Sequence, residues 1–183
     1  MTLLIIIVVI SACSSTGLTR KQREVMEHHV HQVADAILFS TNKIKNSLYK
    51  YRRDKGAWPS QEQEQRAIFQ DFDNVLLEHH IDGQKLLVVD RNEVIVEYYY
   101  ARERTPQFPA LLESWVIILS NKESKQLKVV AIYPNWNVPE ELAQRTPYSV
   151  EQITDLQKIF REHLKEKLAD HDLLLSDNID ESV

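Results

Sequence analysis

Residues 19–56 read TRKQREVMEHHVHQVADAILFSTNKIKNSLYKYRRDKG, and this stretch decides the fold. Its apolar residues are spaced by 4, 3, 4, 7, 4 and 3 positions, which places them on one side of a helix: Met26, Val30, Val33, Ile37, Ile44, Leu48 and Tyr51. Thr19 and Gln22 have the spacing of a capping box, and Gly56 suits the end of a helix. The pattern predicts one helix of about 36 residues, about 54 Å long.

The chain after this helix predicts a shorter helix and then four strands. Ser60 and Gln63 have capping-box spacing and would open a helix toward Asp71. The predicted strands are Leu86–Val89, Val94–Tyr100, Trp115–Leu119 and Leu127–Tyr133. Arg91 and Asn92 suit a two-residue hairpin turn between the first two strands. Alternation predicts two shared faces, one with Val94, Val96, Tyr98 and Tyr100, the other with Leu127, Val129, Ala131 and Tyr133.

A third capping box, at Ser149 and Gln152, predicts a carboxyl-terminal helix. Its apolar face consists of Val150, Ile153, Leu156, Phe160, Leu164 and Leu168. The predicted fold class is therefore α+β, with the long helix and the last helix packed on a four-stranded antiparallel meander. We expect a single domain over residues 19–170 and an acidic tail over residues 171–183 that frays, with docking of Leu173–Leu175 on the domain as the alternative.

Composition is that of a soluble globular domain with an uneven distribution of charge. The 183 residues carry a formal net charge of −5, but residues 20–55 carry nine basic and four acidic side chains, whereas residues 170–183 carry five acidic and no basic ones. No basic patch is interleaved with stacking aromatic residues, so we expect no nucleic-acid partner. The chain has one cysteine, Cys13, and therefore no intramolecular disulfide.

The amino terminus has the pattern of an export signal. Leu3–Ile10 is an unbroken apolar run, too short to span a bilayer and typical of a signal peptide. Ile10, Ser11, Ala12 and Cys13 follow, and they resemble the lipobox of bacterial lipoproteins. The resemblance implies a signal peptide over residues 1–12, cleavage before Cys13 and lipid on that cysteine. Residues 13–18 then read as a flexible tether, and Ser14 after the cysteine implies the outer membrane, with the domain facing the periplasm.

A second resemblance lies at the end of the long helix. Residues 50–65 read KYRRDKGAWPSQEQEQ, and they look like the segment of type IV pilins and pseudopilins in which a charged, aromatic helix end leads to Gly-x-aromatic-Pro. In that family a long helix packs on an antiparallel meander. This resemblance implies the fold and adds a pilin-like role to the possible functions.

The sequence contains no pattern that predicts catalysis, a metal or a cofactor. His28, His29 and His31 lie within one helical turn, but a solvated helix face is the favoured interpretation, although His79 and His80 could approach them. Gly56 and Gly83 are the only glycines after residue 18, too few for a phosphate-binding loop. Paired carboxylates, at Asp71 with Asp73 and at Glu140 with Glu141, are interpreted as solvated surface. We therefore expect a protein that is not an enzyme and holds no cofactor.

Three groups of residues are candidates for binding. The amino-terminal half of the long helix should project from the domain and offer Met26, Val30 and Val33 to a partner. Tyr99 should lie on the outer side of its strand, where packing under a helix is the favoured interpretation and an interface anchor is the alternative. A basic cluster around the helix end is by default a solvated face, and the alternative is contact with anionic head groups or an acidic partner: Lys43, Lys45, Lys50, Arg52, Arg53 and Lys55.

These observations together predict a lipid-anchored envelope protein with a non-enzymatic, protein-binding or assembly role. Its partners would be the membrane, through lipid on Cys13, and a protein of the cell envelope. One alternative is a pilin-like accessory component of a secretion or pilus system. The other is a hydrolase or carbohydrate-binding domain that acts on the cell wall.

Overall fold

The computed structural model describes residues 18–57, 59, 76, 78–89, 92–101, 108–122 and 126–176. The helices are α1 (Arg20–Lys55), α2 (Pro139–Ala143) and α3 (Val150–Ala169), and the strands are β1 (Ile81–Val89), β2 (Glu93–Tyr100), β3 (Leu112–Ser120) and β4 (Lys128–Trp136). The predicted α+β class is confirmed, with a long first helix, a carboxyl-terminal helix and a four-stranded antiparallel sheet. The predicted signal peptide and most of the tether lie outside the described residues, as does the predicted helix from Ser60 to Asp71.

Helix α1 has the limits that its capping residues predict. The side chain of Thr19 accepts a hydrogen bond from the backbone N–H of Gln22, and the Gln22 side chain accepts one from the backbone N–H of Thr19. Gly56 ends the helix at a φ of 75°, a left-handed conformation that costs glycine little. The helix of 36 residues is therefore fixed at both ends by local chemistry.

The four strands form a meander in the order β1-β2-β3-β4, and every neighbouring pair is antiparallel. The first shared face is confirmed, because all four of its members are buried: Val94, Val96, Tyr98 and Tyr100. Val89 pairs with Val94, the register that a two-residue turn at positions 91 and 92 would produce. Arg91 lies outside the described residues, so the turn itself stays a prediction.

Strand β1 begins at Ile81, earlier than the predicted start at Leu86. The register shifts between Ile81 and Gly83 and again between Leu86 and Val88. These irregularities disturb the alternation on which a strand is recognised in a sequence. The polar and glycine residues at positions 82–84 concealed the first half of the strand.

The second predicted shared face is wrong, because a register shift interrupts β4. Ile118 pairs with Ala131 but the next residue, Leu119, pairs with Val129, so Val130 is an extra residue in the strand. An extra residue exchanges the two faces beyond it. Val129 therefore packs on the main core, whereas Tyr133 packs on the opposite side of the sheet.

Helix α1 crosses one face of the sheet, here called the inner face. The Tyr100 hydroxyl donates to Gln32 Oε1 (3.4 Å), and Trp115 Nε1 donates to Ser40 Oγ (3.2 Å). Further along the helix, the Tyr49 hydroxyl accepts a hydrogen bond from the backbone N–H of Leu127 (2.8 Å). These contacts show that the carboxyl end of α1 lies at the hairpin-turn end of the sheet, where β4 begins.

The amino-terminal half of α1 does not project as predicted. Met26, Val30 and Val33 are 1–2% exposed and belong to the main core. Helix α3 packs against α1, and Gln22 near the start of α1 contacts Tyr148 just before α3. The prediction failed because it took the domain to be too small to cover a helix of 36 residues along its whole length. This part of α1 is therefore not an exposed apolar stripe.

The segment after α3 docks on the edge of the sheet. Leu175 forms a parallel bridge with Ile132 of β4 and is 4% exposed. The Ile132 N–H donates to the Leu174 carbonyl (3.1 Å), and the Ser176 N–H donates to the Ile132 carbonyl (2.9 Å). The expectation that the tail frays is therefore wrong for Leu173–Leu175, and the alternative, docking, is what the structure has. The bridge satisfies one pair of edge groups on β4, and Pro134 further along the strand has no N–H to offer.

Candidate binding surfaces

The sheet face opposite α1, here called the outer face, carries a small polar network. Glu97 on β2 accepts hydrogen bonds from the Tyr99 hydroxyl and from Ser114 Oγ, each 2.8 Å long. Tyr99 is two residues beyond Glu97, and Ser114 lies on β3 directly opposite Tyr99, so alternation brings all three side chains to one face. The strand register was needed to find Ser114, which the sequence analysis missed.

Tyr99 lies on the outer side of its strand, as the sequence predicts, and its side chain is half-buried. The hydrogen bond to Glu97 raises the pKa of Tyr99, because ionising the phenol would lose that bond and place a second negative charge beside the carboxylate. Position 83 on β1 pairs with Tyr99, and a Cβ there would lie 3.7 Å from Tyr99 Cδ2. A side chain at position 83 would therefore make ordinary van der Waals contact with the Tyr99 ring.

A small apolar cluster lies next to the polar network on the outer face. Ile95, Val116 and Ile118 are 6–8% exposed, and the half-buried Tyr133 packs against them. Among the described residues, no side chain of α1, α2 or α3 belongs to this cluster. The outer face therefore combines a short, buried apolar strip with a carboxylate and two half-buried tyrosines.

The predicted basic cluster lies at the carboxyl end of α1. Lys50, Arg52, Arg53 and Lys55 are exposed, whereas Lys43 and Lys45 are partly covered. The hydrogen bond between Tyr49 and the Leu127 backbone brings the β3–β4 connection to this end of the helix. That connection contributes two exposed lysines that the sequence analysis did not include, Lys122 and Lys128.

The structure also has a shallow cavity where α1 and α3 begin, a feature without a sequence signal. Its lining mixes apolar and polar residues: Leu18, Gln22, Tyr148, Gln152, Asp155, Leu156 and Ile159. Gln22 Nε2 donates to the Tyr148 hydroxyl across it (2.9 Å). The contact joins residues 126 positions apart in the chain, so only the fold brings them together.

The histidines do not converge on one point. His28 and His31 are exposed, whereas His29 is buried and stacks on Phe108 with ring centroids 5.7 Å apart. His79 stacks on Phe39, and His80 contacts Gln32. Within the described ranges, no group of three His, Cys, Asp or Glu residues could hold a metal ion.

The other residues considered for chemistry or recognition are dispersed. Trp115 is buried in the core, and Trp136 is half-buried with Arg161 above its ring, 5.3 Å from the centroid. Glu140 and Glu141 are exposed in the first turn of α2. Cys13, Trp58, Asp71 and Asp73 lie outside the described residues.

Comparisons with protein-family models, with curated proteins and with solved structures find no match to this chain. Across the part of the chain that the structure describes, no helix has the length and apolar character needed to cross a bilayer.

Proposed function

We propose that this chain is a lipid-anchored envelope protein that binds another protein and catalyses no reaction. The observation that carries the proposal is the position of the folded domain relative to Cys13. Leu18 already packs against the core, and its carbonyl accepts a hydrogen bond from Arg23 (3.4 Å). The domain therefore begins five residues after the lipobox-like cysteine, a separation of at most about 18 Å.

This arrangement suits a domain held close to a membrane surface. A tether of five residues lets the domain rotate but keeps its base, where α1 and α3 begin, near the head groups. Several acyl chains on one cysteine would anchor the domain firmly, because each buried CH₂ contributes about 0.8 kcal/mol. The apolar run before the cysteine would be removed with the signal peptide.

Metabolic labelling with a clickable palmitate analogue tests the anchor. The wild-type protein should incorporate the label, and Cys13→Ser should not, because the acylated atom is gone. Ser14→Ala is the matched control and should label like the wild type. Label in the Cys13→Ser variant, or none in the wild type, would refute the anchor.

For the binding role, Tyr99 is the residue we favour, because it is an aromatic side chain on the outer face beside the apolar strip. Tyrosine is enriched among the interface residues that carry most of the binding energy. A photo-crosslinking amino acid at position 99 should give a discrete cross-linked product in intact membranes. The same amino acid at the exposed Val150 of α3 is the control. Equal, diffuse cross-linking from both positions would contradict the role of Tyr99.

A further inference from the structure

The cavity where α1 and α3 begin, here called the base cavity, is built around the two capping boxes. The Gln22 side chain accepts a hydrogen bond from the Thr19 N–H (2.9 Å). In the same way, the Gln152 side chain accepts one from the Ser149 N–H (2.9 Å). Both glutamines line the cavity, and Gln22 also donates to the Tyr148 hydroxyl (2.9 Å). This wall of the cavity is therefore held in place by the helix starts before any ligand binds.

The size of the base cavity limits what can enter it. Its volume is about 80 Å³, which is more than one water molecule requires, whereas pockets for drug-sized ligands measure about 300–1,000 Å³. Leu18, Leu156 and Ile159 give the cavity an apolar part that suits methylene groups. The base cavity can therefore take a group of a few non-hydrogen atoms at the end of a larger molecule, and it is too small for a sugar ring or a nucleotide.

A carboxylate gives the base cavity its charge. Asp155 is the one ionised side chain among the described residues of the lining, and it is exposed, with no hydrogen bond or ion pair in the described ranges. Glu151, also exposed, precedes it by one turn of α3 and lies on the same side of the helix. The ring of Tyr148 also lines the cavity, and aromatic rings attract cations. These groups favour a ligand with positive charge.

On the side of the tether, the charge has the opposite sign. Lys21 and Arg23 are exposed in the first turn of α1, and the Arg23 guanidinium reaches back to donate to the Leu18 carbonyl (3.4 Å). Helix starts also favour negative charge beside them. Residues 1–17 contain no Asp, Glu, Lys, Arg or His that could alter this order. From the tether outward, the surface therefore presents cations first and a carboxylate about one turn further along α3, an order that suits a phosphate with an ammonium group beyond it.

We infer that the base cavity binds a small alkylammonium group, supplied by the phosphoethanolamine head group of a membrane lipid. The ammonium pairs with Asp155 beside the Tyr148 ring, and its two methylene groups contact Leu156 and Ile159. Arg23 contacts the phosphate through a charge-assisted hydrogen bond. The lipid source rests on the proposed function, which keeps the base within about 18 Å of the head groups. The affinity of the cavity for an ammonium group does not depend on the anchor.

Nuclear magnetic resonance of the whole chain tests the inference. Isotope-labelled protein is purified from cells in dodecyl maltoside, a detergent without ammonium or phosphate. The probes are ethanolamine, ethylene glycol, free phosphoethanolamine and dihexanoyl phosphatidylethanolamine, with dihexanoyl phosphatidylglycerol as the lipid control. The chemical shifts of the Gln152 side-chain amide and of the Tyr148 backbone amide report on the cavity. Asp155→Asn removes its charge, and Arg23→Gln removes the phosphate contact. Glu166→Gln, at an exposed carboxylate near the end of α3, is the matched control.

We expect ethanolamine to shift both signals and ethylene glycol, which is uncharged and of similar size, to leave them unchanged. Asp155→Asn should weaken ethanolamine binding about three- to fivefold, since an exposed ion pair contributes up to about fivefold, and Glu166→Gln should not weaken it. Arg23→Gln should weaken the binding of both phosphoethanolamine probes and leave ethanolamine binding unchanged.

No shift with ethanolamine, an equal response to ethylene glycol, or equal losses in the two carboxylate variants would overturn the ammonium site. Binding of free phosphoethanolamine without binding of the phosphatidylethanolamine would overturn the lipid source, and so would equal or tighter binding of the phosphatidylglycerol. Palmitate labelling tests the anchor separately, so the ammonium site and the anchor can fail independently.

Discussion

At the scale of single residues, two buried polar groups in the core under α1 differ in whether they have a hydrogen-bond partner. Trp115 Nε1 donates to Ser40 Oγ at 3.2 Å, and Ser40 in turn donates to the Ile37 carbonyl at 3.0 Å. The hydroxyl of Tyr98 is buried with no hydrogen-bond partner among the described residues. A satisfied donor contributes to stability, whereas an unsatisfied hydroxyl costs free energy. These two groups therefore give opposite predictions.

Tyr98→Phe should stabilise the protein by about 1 kcal/mol, because it removes a buried hydroxyl that gains nothing from folding. Burial also raises the pKa of Tyr98. A raised folded-state pKa favours the protonated phenol, so its contribution is complete below pH 10 and is lost as the pH rises further. Urea unfolding at pH 7 and between pH 9 and 11 should show higher stability for the variant and a smaller alkaline loss. Lower stability of Tyr98→Phe at pH 7 would contradict this assignment.

Ser40→Ala should lower the free energy of unfolding by about 1–3 kcal/mol, since it leaves the Trp115 indole N–H without an acceptor in the core. Thr41→Val is the matched control on the next residue. Its hydroxyl is buried and, in the described ranges, has no hydrogen-bond partner, so its removal should be neutral or stabilising. Chemical denaturation of both variants tests the pair. Similar losses at the two positions would mean that the Ser40–Trp115 bond does not carry the effect.

At the scale of elements, the sequence predicted the helix limits, because capping interactions between neighbouring residues determine them. Helix α1 begins at the capping box of Thr19 and ends at Gly56, and α3 begins at the capping box of Ser149. Each of these capping hydrogen bonds joins residues no more than four positions apart. Features that depend on pairing between strands were missed. The register shift around Val130 reversed the expected side of Tyr133, and only the contact of Leu127 with Tyr49 places the β3–β4 connection beside α1. The apolar pattern of a single segment does not predict how that segment pairs with another strand or helix.

The packing of α1 against α3 gives the prediction at this scale. Met26→Ala and Leu156→Ala should each cost about 2–4 kcal/mol, because both side chains are 2% exposed and belong to the core. Val150→Ala is the control, because Val150 is 37% exposed at the start of α3. Its change should stay within about 0.5 kcal/mol. Negligible losses for Met26→Ala and Leu156→Ala in urea unfolding would show that the first half of α1 stands free of the domain.

At the scale of the whole molecule, the two ends of α1 have different surroundings. The first turn lies beside the start of α3 and a few residues from Cys13, and Tyr49 near the carboxyl end contacts the β3–β4 connection. The first turn of α1, its carboxyl end and the outer face of the sheet consequently lie in separate parts of the molecule. Under the proposed function, the lipid would hold the first turn near the membrane, with the carboxyl end of α1 up to about 54 Å along the helix from it.

The most direct test of this account is the intact mass of the protein purified from membranes in detergent. The account predicts that residues 1–12 are missing and that Cys13 is the new first residue. The mass should exceed that of residues 13–183 by the mass of the acyl groups, and a peptide containing Cys13 should carry them. A protein that begins at Met1 with an unmodified Cys13 would contradict the central claim.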